Sequence, residues 1–259
     1  GQPWMSARLE LIPLEGFPEV APGDDLAALI YASLQHNRLQ LQDGDVLVLA
    51  QKIVSKAENR YRRLADVVPG ERALELAREA DKDPRLVQLI LDESQAVLRV
   101  RKGVIIVEHR EGYVHANAGI DRSNIQNATD DPRVLLLPED SNASAARLRD
   151  NLGVLCGLRP QVIINDSAGR AWRVGTVGLA LGTAGLDPLF NQIGGCDRFG
   201  NRLEVTEPAV ADELAAAASL VQGQAAEGLP VVLARGARLR ASSRDARALL
   251  RPREQDMFR

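Results

Sequence analysis

The chain has few aromatic residues, few cysteines and no long apolar run. Phe, Trp and Tyr together make up 3% of its 259 residues, and Cys156 and Cys196 are its two cysteines. Two cysteines favour neither a disulfide framework nor a zinc cluster. No apolar stretch approaches the roughly 20 residues that span a bilayer, and residues 1–8 lack the charged-then-apolar pattern of a signal peptide. We therefore expect a cytoplasmic protein without a membrane partner.

The chain also lacks an excess of positive charge. It contains 32 Lys and Arg against 35 Asp and Glu, for a formal net charge of −3. Nucleic-acid binding draws on cationic side chains that neutralise phosphates, so this balance argues against a nucleic-acid partner and favours a small molecule. The length allows one large domain or two smaller ones. We expect residues 1–8 to be a leader or cloning remnant and residues 237–259 to be a basic, solvated tail.

The familiar catalytic and phosphate-binding motifs are missing as well. The sequence has no G-x-x-x-x-G-K-[ST] loop, no G-x-G-x-x-G turn between a strand and a helix, no G-x-S-x-G elbow and no H-E-x-x-H pair. The histidines His36, His109 and His115 are scattered, and we interpret each as a surface or structural residue. A nucleotide would have to be bound by some other device.

The hydrophobic pattern predicts a mixed α+β fold. Hairpin-like strand pairs dominate the middle of the chain, without the even strand–helix alternation of a doubly wound sheet. The polar stretch 51–63 is interpreted as a strand end that meets solvent, and a weak domain boundary is expected within 57–95. Asp24 and Ser141 are predicted helix caps. Strands are predicted at 46–50, 96–100, 104–107, 133–137, 161–165 and 229–234, and helices after Asp24 and at 71–80, 84–93, 143–156 and 206–228.

Carboxylates that follow predicted strands are the first candidates for chemistry. Carboxylate and hydroxyl oxygens are ligands that Mg²⁺ and Mn²⁺ prefer, and Asp166 and Ser167 stand side by side after strand 161–165. Acids in such places are also common as turn and cap residues, and that interpretation stays open for each of them. The carboxylates are Asp121, Glu139, Asp140, Asp166 and Asp197.

Cationic side chains are candidates for binding phosphates or an anionic substrate. Lys52 and Lys56 follow the strand 46–50, where a lysine serves as a point charge toward phosphate. Arg170 and Arg173 follow Ser167 and are assigned to an anionic substrate on charge alone. The glycines after them are interpreted as room for a ligand to approach the backbone, although strand glycines often mark bulges. They are Gly175, Gly178, Gly182 and Gly185.

Several long motifs occur in an order that resembles the coenzyme F420 γ-glutamyl ligase family. They are "ANAGIDRSN", "LLPEDSNASA", "VIINDSAGRAWRVGTVGLALGTAG" and "GGCDRFGNRLEVTEPAV", and the resemblance runs from about Leu9 to Gly236. It implies one family domain over 9–236, built as an unusual two-lobed α+β fold. That fold is not of the P-loop, Rossmann or ATP-grasp type and forms an intertwined homodimer.

The resemblance also implies an activity. Members of the family add L-glutamate to coenzyme F420-0 and hydrolyse GTP, with one or two Mg²⁺ or Mn²⁺ ions. The expected reaction passes through an acyl phosphate on the phospholactyl carboxylate, and further γ-linked glutamates can follow. Two alternatives remain: another nucleotide-dependent carboxylate–amine ligase or phosphotransferase with a different acceptor, and a protein that binds a nucleotide or deazaflavin without turnover.

The family's site residues carry over by motif. Asp166 and Lys56 are the expected catalytic residues. Family members often have threonine where Ser167 stands, and serine keeps the hydroxyl but loses the stiff β-branch. The expected metal ligands are Asp121, Asp166 and Ser167. The expected nucleotide contacts are Glu15, Gly16, Phe17, Pro18, Gln51, Lys52, Lys56, Asn124, Gly223 and Gln224.

Overall fold

The computed structural model describes residues 8–122, 131–190, 195–204, 207–223 and 228–259. Helices and strands are interspersed, as the mixed α and β prediction requires. Within the described ranges the strands are β1 (Glu10–Pro13), β2 (Val46–Ala50), β3 (Tyr61–Arg63), β4 (Ser94–Arg101), β5 (Val104–His109), β6 (Val114–Ala116), β7 (Arg133–Leu135), β8 (Gln161–Arg170), β9 (Arg173–Ala184) and β10 (Val231–Arg235). The α-helices are α1 (Leu26–His36), α2 (Gln51–Ala57), α3 (Glu71–Ala80), α4 (Pro84–Asp92), α5 (Ser141–Cys156) and α6 (Val210–Gln222).

The largest sheet has the strand order β1-β10-β2-β8-β9. Strands β2 and β8 are parallel, and the other neighbours are antiparallel. Leu47 and Leu49 face the core that α1 and α5 cover, whereas Val46 and Val48 face the core under α6. Since both faces of the sheet are covered, these strands form continuous apolar runs, which is the pattern that made them predictable.

Strand β8 is longer than predicted. The apolar run 161–165 continues to Arg170, so the prediction that Asp166 and Ser167 stand at the strand's end is wrong. Strand β2 ends opposite Asn165, however, while β9 continues to pair with β8 beyond that point. Asp166 and Ser167 therefore lie where β8 extends past the end of its neighbour β2, which opens space beside them.

Two glycines of β9 make room for helices. A Cβ on Gly178 would lie 2.5 Å from the carbonyl oxygen of Ala215 in α6, and a Cβ on Gly182 would collide with the backbone of Ser141 at the start of α5. A register shift at Leu181 separates the two positions, so each serves a different face of the sheet. The prediction that these two glycines admit a ligand is wrong, because helix packing occupies the space.

Two helix caps lie one residue from their predicted positions. Asp25, not Asp24, accepts a hydrogen bond from the amide of Ala28 at the start of α1. Asp140 likewise caps α5, and Ser141 is that helix's first residue. In both cases a neighbouring acid or hydroxyl competes for the same role, which sequence alone could not separate.

Helix α6 is shorter than predicted. It begins at Val210 and ends at Gln222, with Gly223 at a φ of 71° directly after it. The predicted start at Thr206 lies outside the described residues, and the predicted end at Gly228 is wrong because the helix stops at the first glycine that follows its apolar run.

A separate core is built by the chain between Leu64 and Leu136. Helices α3 and α4 pack there against the sheet β4-β5-β6, and the predicted turn between β5 and β6 is confirmed. This charged helical region lies where a weak boundary was predicted. The division of the family domain into two lobes stays a prediction.

The C-terminal residues return to the body of the protein. Ala246 is buried, and the guanidinium groups of Arg253 and Arg259 both pair with Glu108 of β5. The prediction of a solvated tail is therefore wrong, because the buried carboxylate of Glu108 anchors its arginines. In the described part of the chain, no helix is both long and apolar enough to cross a membrane.

Candidate active site

A polar pocket of about 280 Å³ opens where β2 ends beside β8. Four segments that are far apart in sequence form its wall: the β2–α2 junction, the residues from β6 to Asp121, the middle of β8 and the end of α6. The lining residues include Gln51, Lys52, His115, Asn117, Asp121, Asn165, Asp166, Ser167, Ser219, Gln222 and Gly223.

Helix α2 places Gln51 and Lys52 in the pocket. The stretch 51–63 was predicted to run into solvent, but β2 passes directly into this helix, and Gln51 and Ser55 are buried. Ser55 Oγ donates a hydrogen bond of 3.0 Å to Gln51 Oε1. The sequence pattern did not predict this helix, because its polar side chains suggested contact with solvent. They instead bond to one another and to groups in the pocket.

Asp121 is held by backbone and side-chain contacts. Its amide and carbonyl form a reciprocal pair with those of Leu135, both at 2.9 Å. Lys52 Nζ lies 2.9 Å from Asp121 Oδ2, and both side chains are mostly buried. The pocket therefore joins a predicted nucleotide contact to a predicted metal ligand.

Asp166 is held by His115 of β6. His115 Nε2 lies 2.9 Å from Asp166 Oδ2, while the amide of Ser167 donates to Asp166 Oδ1 at 2.9 Å. The sequence interpretation missed His115 because histidines scattered along the chain suggest no site. The signal that was available is the alternation in "YVHANAG", which places His115 on the inward face of a short strand.

The donor chemistry of the pocket fits a hard divalent cation. Asp121 and Asp166 supply carboxylates and Ser167 supplies a hydroxyl, and Mg²⁺ typically takes one or two carboxylates together with waters and substrate phosphates. A carboxylate offers about four lone-pair sites, so an acid that already has one partner can also serve as a metal ligand. Across the described residues, no group of three or more His, Cys, Asp or Glu is arranged to hold a metal.

Two of the other strand-end acids have structural roles. Asp140 caps α5, and Asp197 Oδ1 accepts hydrogen bonds from the amides of Phe199 and Asn201, both at 2.8 Å. Glu139 is exposed, and its carbonyl accepts a hydrogen bond from Arg110. The turn and cap interpretation therefore holds for Asp140 and Asp197, while Asp121 and Asp166 line the pocket.

Lys56 and the segment Glu15–Pro18 lie outside the pocket wall. Lys56 Nζ is 3.6 Å from Glu19, the residue that follows this segment, and the Lys56 side chain is almost buried. Lys52 and Lys56 are one turn apart on α2, so this helix connects the segment to the pocket.

The two predicted arginines are not in the pocket wall either. Arg170 and Arg173 form the end of the β8–β9 hairpin and are exposed. Asn124 and Gln224 lie outside the described residues.

A buried layer supports His115 from behind. Tyr113 stacks on His109, with ring centroids 4.7 Å apart, and meets His115 edge-on. Its hydroxyl donates a hydrogen bond of 2.9 Å to Glu111. Burial raises the pKa of Glu111 and lowers the pKa of His109 to about 3. His109 is therefore a neutral packing residue at physiological pH.

Comparison with known proteins identifies the family. A family model described as F420-0:gamma-glutamyl ligase matches residues 16–236. The chain belongs to this family. The resemblance read from the motifs is thereby confirmed, and so is the predicted ligase class.

Relatives of the F420-0:gamma-glutamyl ligase family match nearly the whole chain. The coenzyme F420:L-glutamate ligase of Methanothermobacter thermautotrophicus is 46% identical over 254 residues, which cover 97% of this chain and 99% of that protein. The coenzyme F420:L-glutamate ligase of Methanopyrus kandleri is 43% identical over 256 residues, covering 97% of each chain. That of Methanocaldococcus jannaschii is 42% identical over 219 residues, covering 85% and 86%.

Proposed function

We propose that this protein joins L-glutamate to the terminal carboxylate of F420-0 through an amide bond, with GTP as phosphoryl donor and Mg²⁺ or Mn²⁺ as the required cation. The observation that carries the proposal is the convergence of Gln51, Lys52, Asp121, Asp166 and Ser167 in one pocket. These residues come from motifs that are far apart in sequence, and the motifs predict nucleotide and metal contacts for them. Their meeting in one pocket is the arrangement that a reaction of a metal-bound nucleotide requires.

The family relatives support the choice of substrates. Their names describe ligation of L-glutamate to coenzyme F420, and the match extends along 97% of this chain in two of them. The polar pocket suits such chemistry because the reaction brings together several anionic groups. We propose the same acceptor and amine for this chain.

Asp121, Asp166 and Ser167 are the residues that would hold the divalent cation. When bound, that cation neutralises charge on the phosphoryl group in transfer. His115 fixes the orientation of the Asp166 carboxylate, and the amide of Ser167 fixes its other oxygen. The carboxylate is therefore already oriented by supporting hydrogen bonds and needs little reorganisation to serve as a ligand.

Lys52 is the cation that we assign to the phosphates inside the pocket. Its ammonium already lies against Asp121, so it can exchange one anionic partner for another without entering a new environment. Lys56 stays a proposed phosphate contact from the next turn of α2, together with Glu15, Gly16, Phe17 and Pro18. Asn124, Gly223 and Gln224 also stay proposed nucleotide contacts.

The proposed chemistry solves a leaving-group problem. A carboxylate cannot expel oxide, so its oxygen first attacks the γ-phosphorus of GTP, the bond from that phosphorus to the β,γ-bridging oxygen breaks, and GDP leaves. The neutral amine of glutamate then attacks the acyl carbon and loses a proton. Collapse of the tetrahedral carbon expels inorganic phosphate and leaves the amide.

Exposed Arg170 and Arg173 stay proposed contacts of the anionic acceptor.

We also propose a cytoplasmic homodimer. Trp172 and Val174 at the end of the β8–β9 hairpin are 88% and 97% exposed, and Phe258 next to Trp172 is 72% exposed. Large apolar side chains grouped on a surface mark interfaces between proteins. A second copy of the chain is the partner that the family resemblance implies.

The decisive experiment is mass spectrometry of F420-0 incubated with the protein, L-glutamate, GTP and Mn²⁺, with each component omitted in turn. We expect the deazaflavin to gain one or more glutamyl units only in the complete mixture. Light scattering on the same preparation gives the mass of the assembly. Release of phosphate without growth of F420-0 would reject this acceptor, and absence of both would reject the ligase proposal.

A further inference from the structure

Two buried amide side chains meet at the back of the pocket. Asn165, the residue before Asp166, is 3% exposed, and Gln222, the last residue of α6, is 7% exposed. Asn165 Nδ2 donates hydrogen bonds of 3.0 Å to Gln222 Oε1 and to the carbonyl of Ala215. Both amide hydrogens of Asn165 are therefore used to join β8 to α6.

The second amide extends this connection to the strands on the other side. Gln222 Nε2 lies 3.1 Å from the carbonyl of Pro230 and 3.4 Å from the carbonyl of Val48 in β2. The Pro230 carbonyl also accepts the amide of Ala50, at 2.8 Å, directly before Gln51. One pair of side chains thus links β8, the end of α6 and the β2–α2 junction.

We infer that the Asn165–Gln222 amide pair is a positioning element that sets the distance between the proposed metal ligands and the proposed nucleotide contacts. The inference rests on the proposed function for the roles of the residues it positions. Asp166 follows Asn165 directly, Gly223 follows Gln222 directly, and Gln51 follows Ala50. A shift at the pair would therefore move all three pocket segments relative to one another.

Hydrogen-bond energetics favour a role beyond stability. A buried polar pair is costly when one partner is removed, but replacing both partners with apolar groups of similar shape is nearly neutral for folding. If the pair only stabilised the fold, leucine at position 165 and methionine at position 222 would serve equally well. Directional bonds to three different segments instead fix their relative positions, which apolar contacts do poorly.

The test compares the single variant Gln222→Met with the double variant Asn165→Leu/Gln222→Met. Affinity for a fluorescent GTP analogue in the presence of Mn²⁺ is measured by titration, and melting temperature is measured on the same samples. We expect Gln222→Met to weaken nucleotide binding about tenfold and to lower the melting temperature. The double variant should recover most of the melting temperature but not the affinity.

Gln161→Met is the matched control. Gln161 is a buried amide at the other end of β8 that donates to the carbonyls of Gly185 and Leu239, away from the pocket. This variant should lower the melting temperature and leave nucleotide affinity unchanged. Wild-type affinity in the double variant, or equal affinity losses in Gln222→Met and Gln161→Met, would overturn the inference.

Hydrogen exchange separates this inference from the proposed function. In protein without nucleotide, the amide of Ala50 should exchange faster in Gln222→Met than in the wild type and in Gln161→Met. Faster exchange in a protein that does not bind the GTP analogue would support the positioning role and reject the nucleotide site. Unchanged exchange at Ala50 would reject the positioning role whatever the nucleotide result.

Discussion

Two of the clusters of ionisable side chains among the described residues differ in their surroundings. In the first, Glu93 pairs with both Arg60 and Arg110, Arg60 also donates to the carbonyl of Leu137 at 2.8 Å, and Arg110 donates to the carbonyl of Pro138 at 3.2 Å. In the second, the pairs Lys52–Asp121 and His115–Asp166 face a cavity of about 280 Å³.

The difference teaches how to separate structural from functional charge. The side chains of the first cluster bond to one another and to the carbonyls of Leu137 and Pro138, so they stabilise the segment that follows β7. Burial lowers the pKa of Arg60, and the Glu93 carboxylate opposes that effect. In the second cluster, Lys52 lies against Asp121 and His115 lies against Asp166, and these side chains line the pocket. Groups held in that way can accept a new partner without unfolding anything.

The largest expected effect comes from breaking the second cluster at Asp166. Asp166→Asn keeps the shape of the side chain but removes the charge that would hold a cation. We expect turnover in the glutamate-ligation assay to fall by about 10³-fold, with the melting temperature within a few degrees of the wild type. Steady-state kinetics and Mn²⁺ binding followed by electron paramagnetic resonance measure the two losses separately.

Asp197→Asn is the control for that variant, since Asp197 closes an exposed turn. It should retain nearly full activity. If Asp166→Asn also keeps wild-type turnover and Mn²⁺ affinity, the metal-site assignment is wrong.

The next effect comes from breaking the first cluster at Glu93. Glu93→Ala leaves two guanidinium groups without their shared partner, one of them buried, and we expect the free energy of unfolding to drop by about 3–5 kcal/mol. Turnover per folded molecule should change little. Urea unfolding gives the stability, and activity at low urea gives the turnover.

An exposed ion pair provides the comparison for Glu93. Arg159 and Asp150 are 57% and 66% exposed along their side chains, so Asp150→Asn should cost less than about 1 kcal/mol. Equal losses in Glu93→Ala and Asp150→Asn would show that burial does not distinguish the two pairs.

The sequence predicted the framework of the second cluster better than its details. Apolar runs predicted β2 and β8, and the order of the motifs predicted Asp121, Asp166 and Ser167 as metal ligands. Helix α2 was missed because its polar residues serve the pocket rather than solvent, so their pattern is not amphipathic. His115 was missed because its partner Asp166 lies on another strand, and single-sequence patterns carry no information on such pairing.

Local competition decided the remaining differences. Gly178 and Gly182 were interpreted as room for a ligand because the neighbouring sequence does not show why a strand needs a glycine there. In the structure, helices α6 and α5 pack against them. Asp24 and Asp25 are equally good caps, and only the path of the chain selects Asp25. Packing against α6 and α5 determines the role of the two glycines, and the backbone conformation at Asp25 determines the cap, so residue types within one segment reveal neither.

A smaller effect than that of Glu93→Ala is expected at His109, which lies near charged members of the first cluster and near His115 of the second. Its pKa is lowered to about 3, first by burial and then by the charges of Arg110, His115 and Arg60. The unfolded chain binds a proton near pH 6.5 and the folded chain does not, so stability falls as the pH drops below that value and the loss is complete near pH 3. Between pH 7 and pH 5 this group alone costs about 2 kcal/mol.

Replacing His109 tests that figure directly. His109→Phe preserves a ring against Tyr113 but cannot titrate, so the free energy of unfolding should lose about 2 kcal/mol less than the wild type between pH 7 and pH 5. Urea titrations at both pH values give the difference. His36→Gln, at an exposed position on α1, should keep the wild-type dependence. An unchanged difference in His109→Phe would show that His109 does not carry the acid sensitivity.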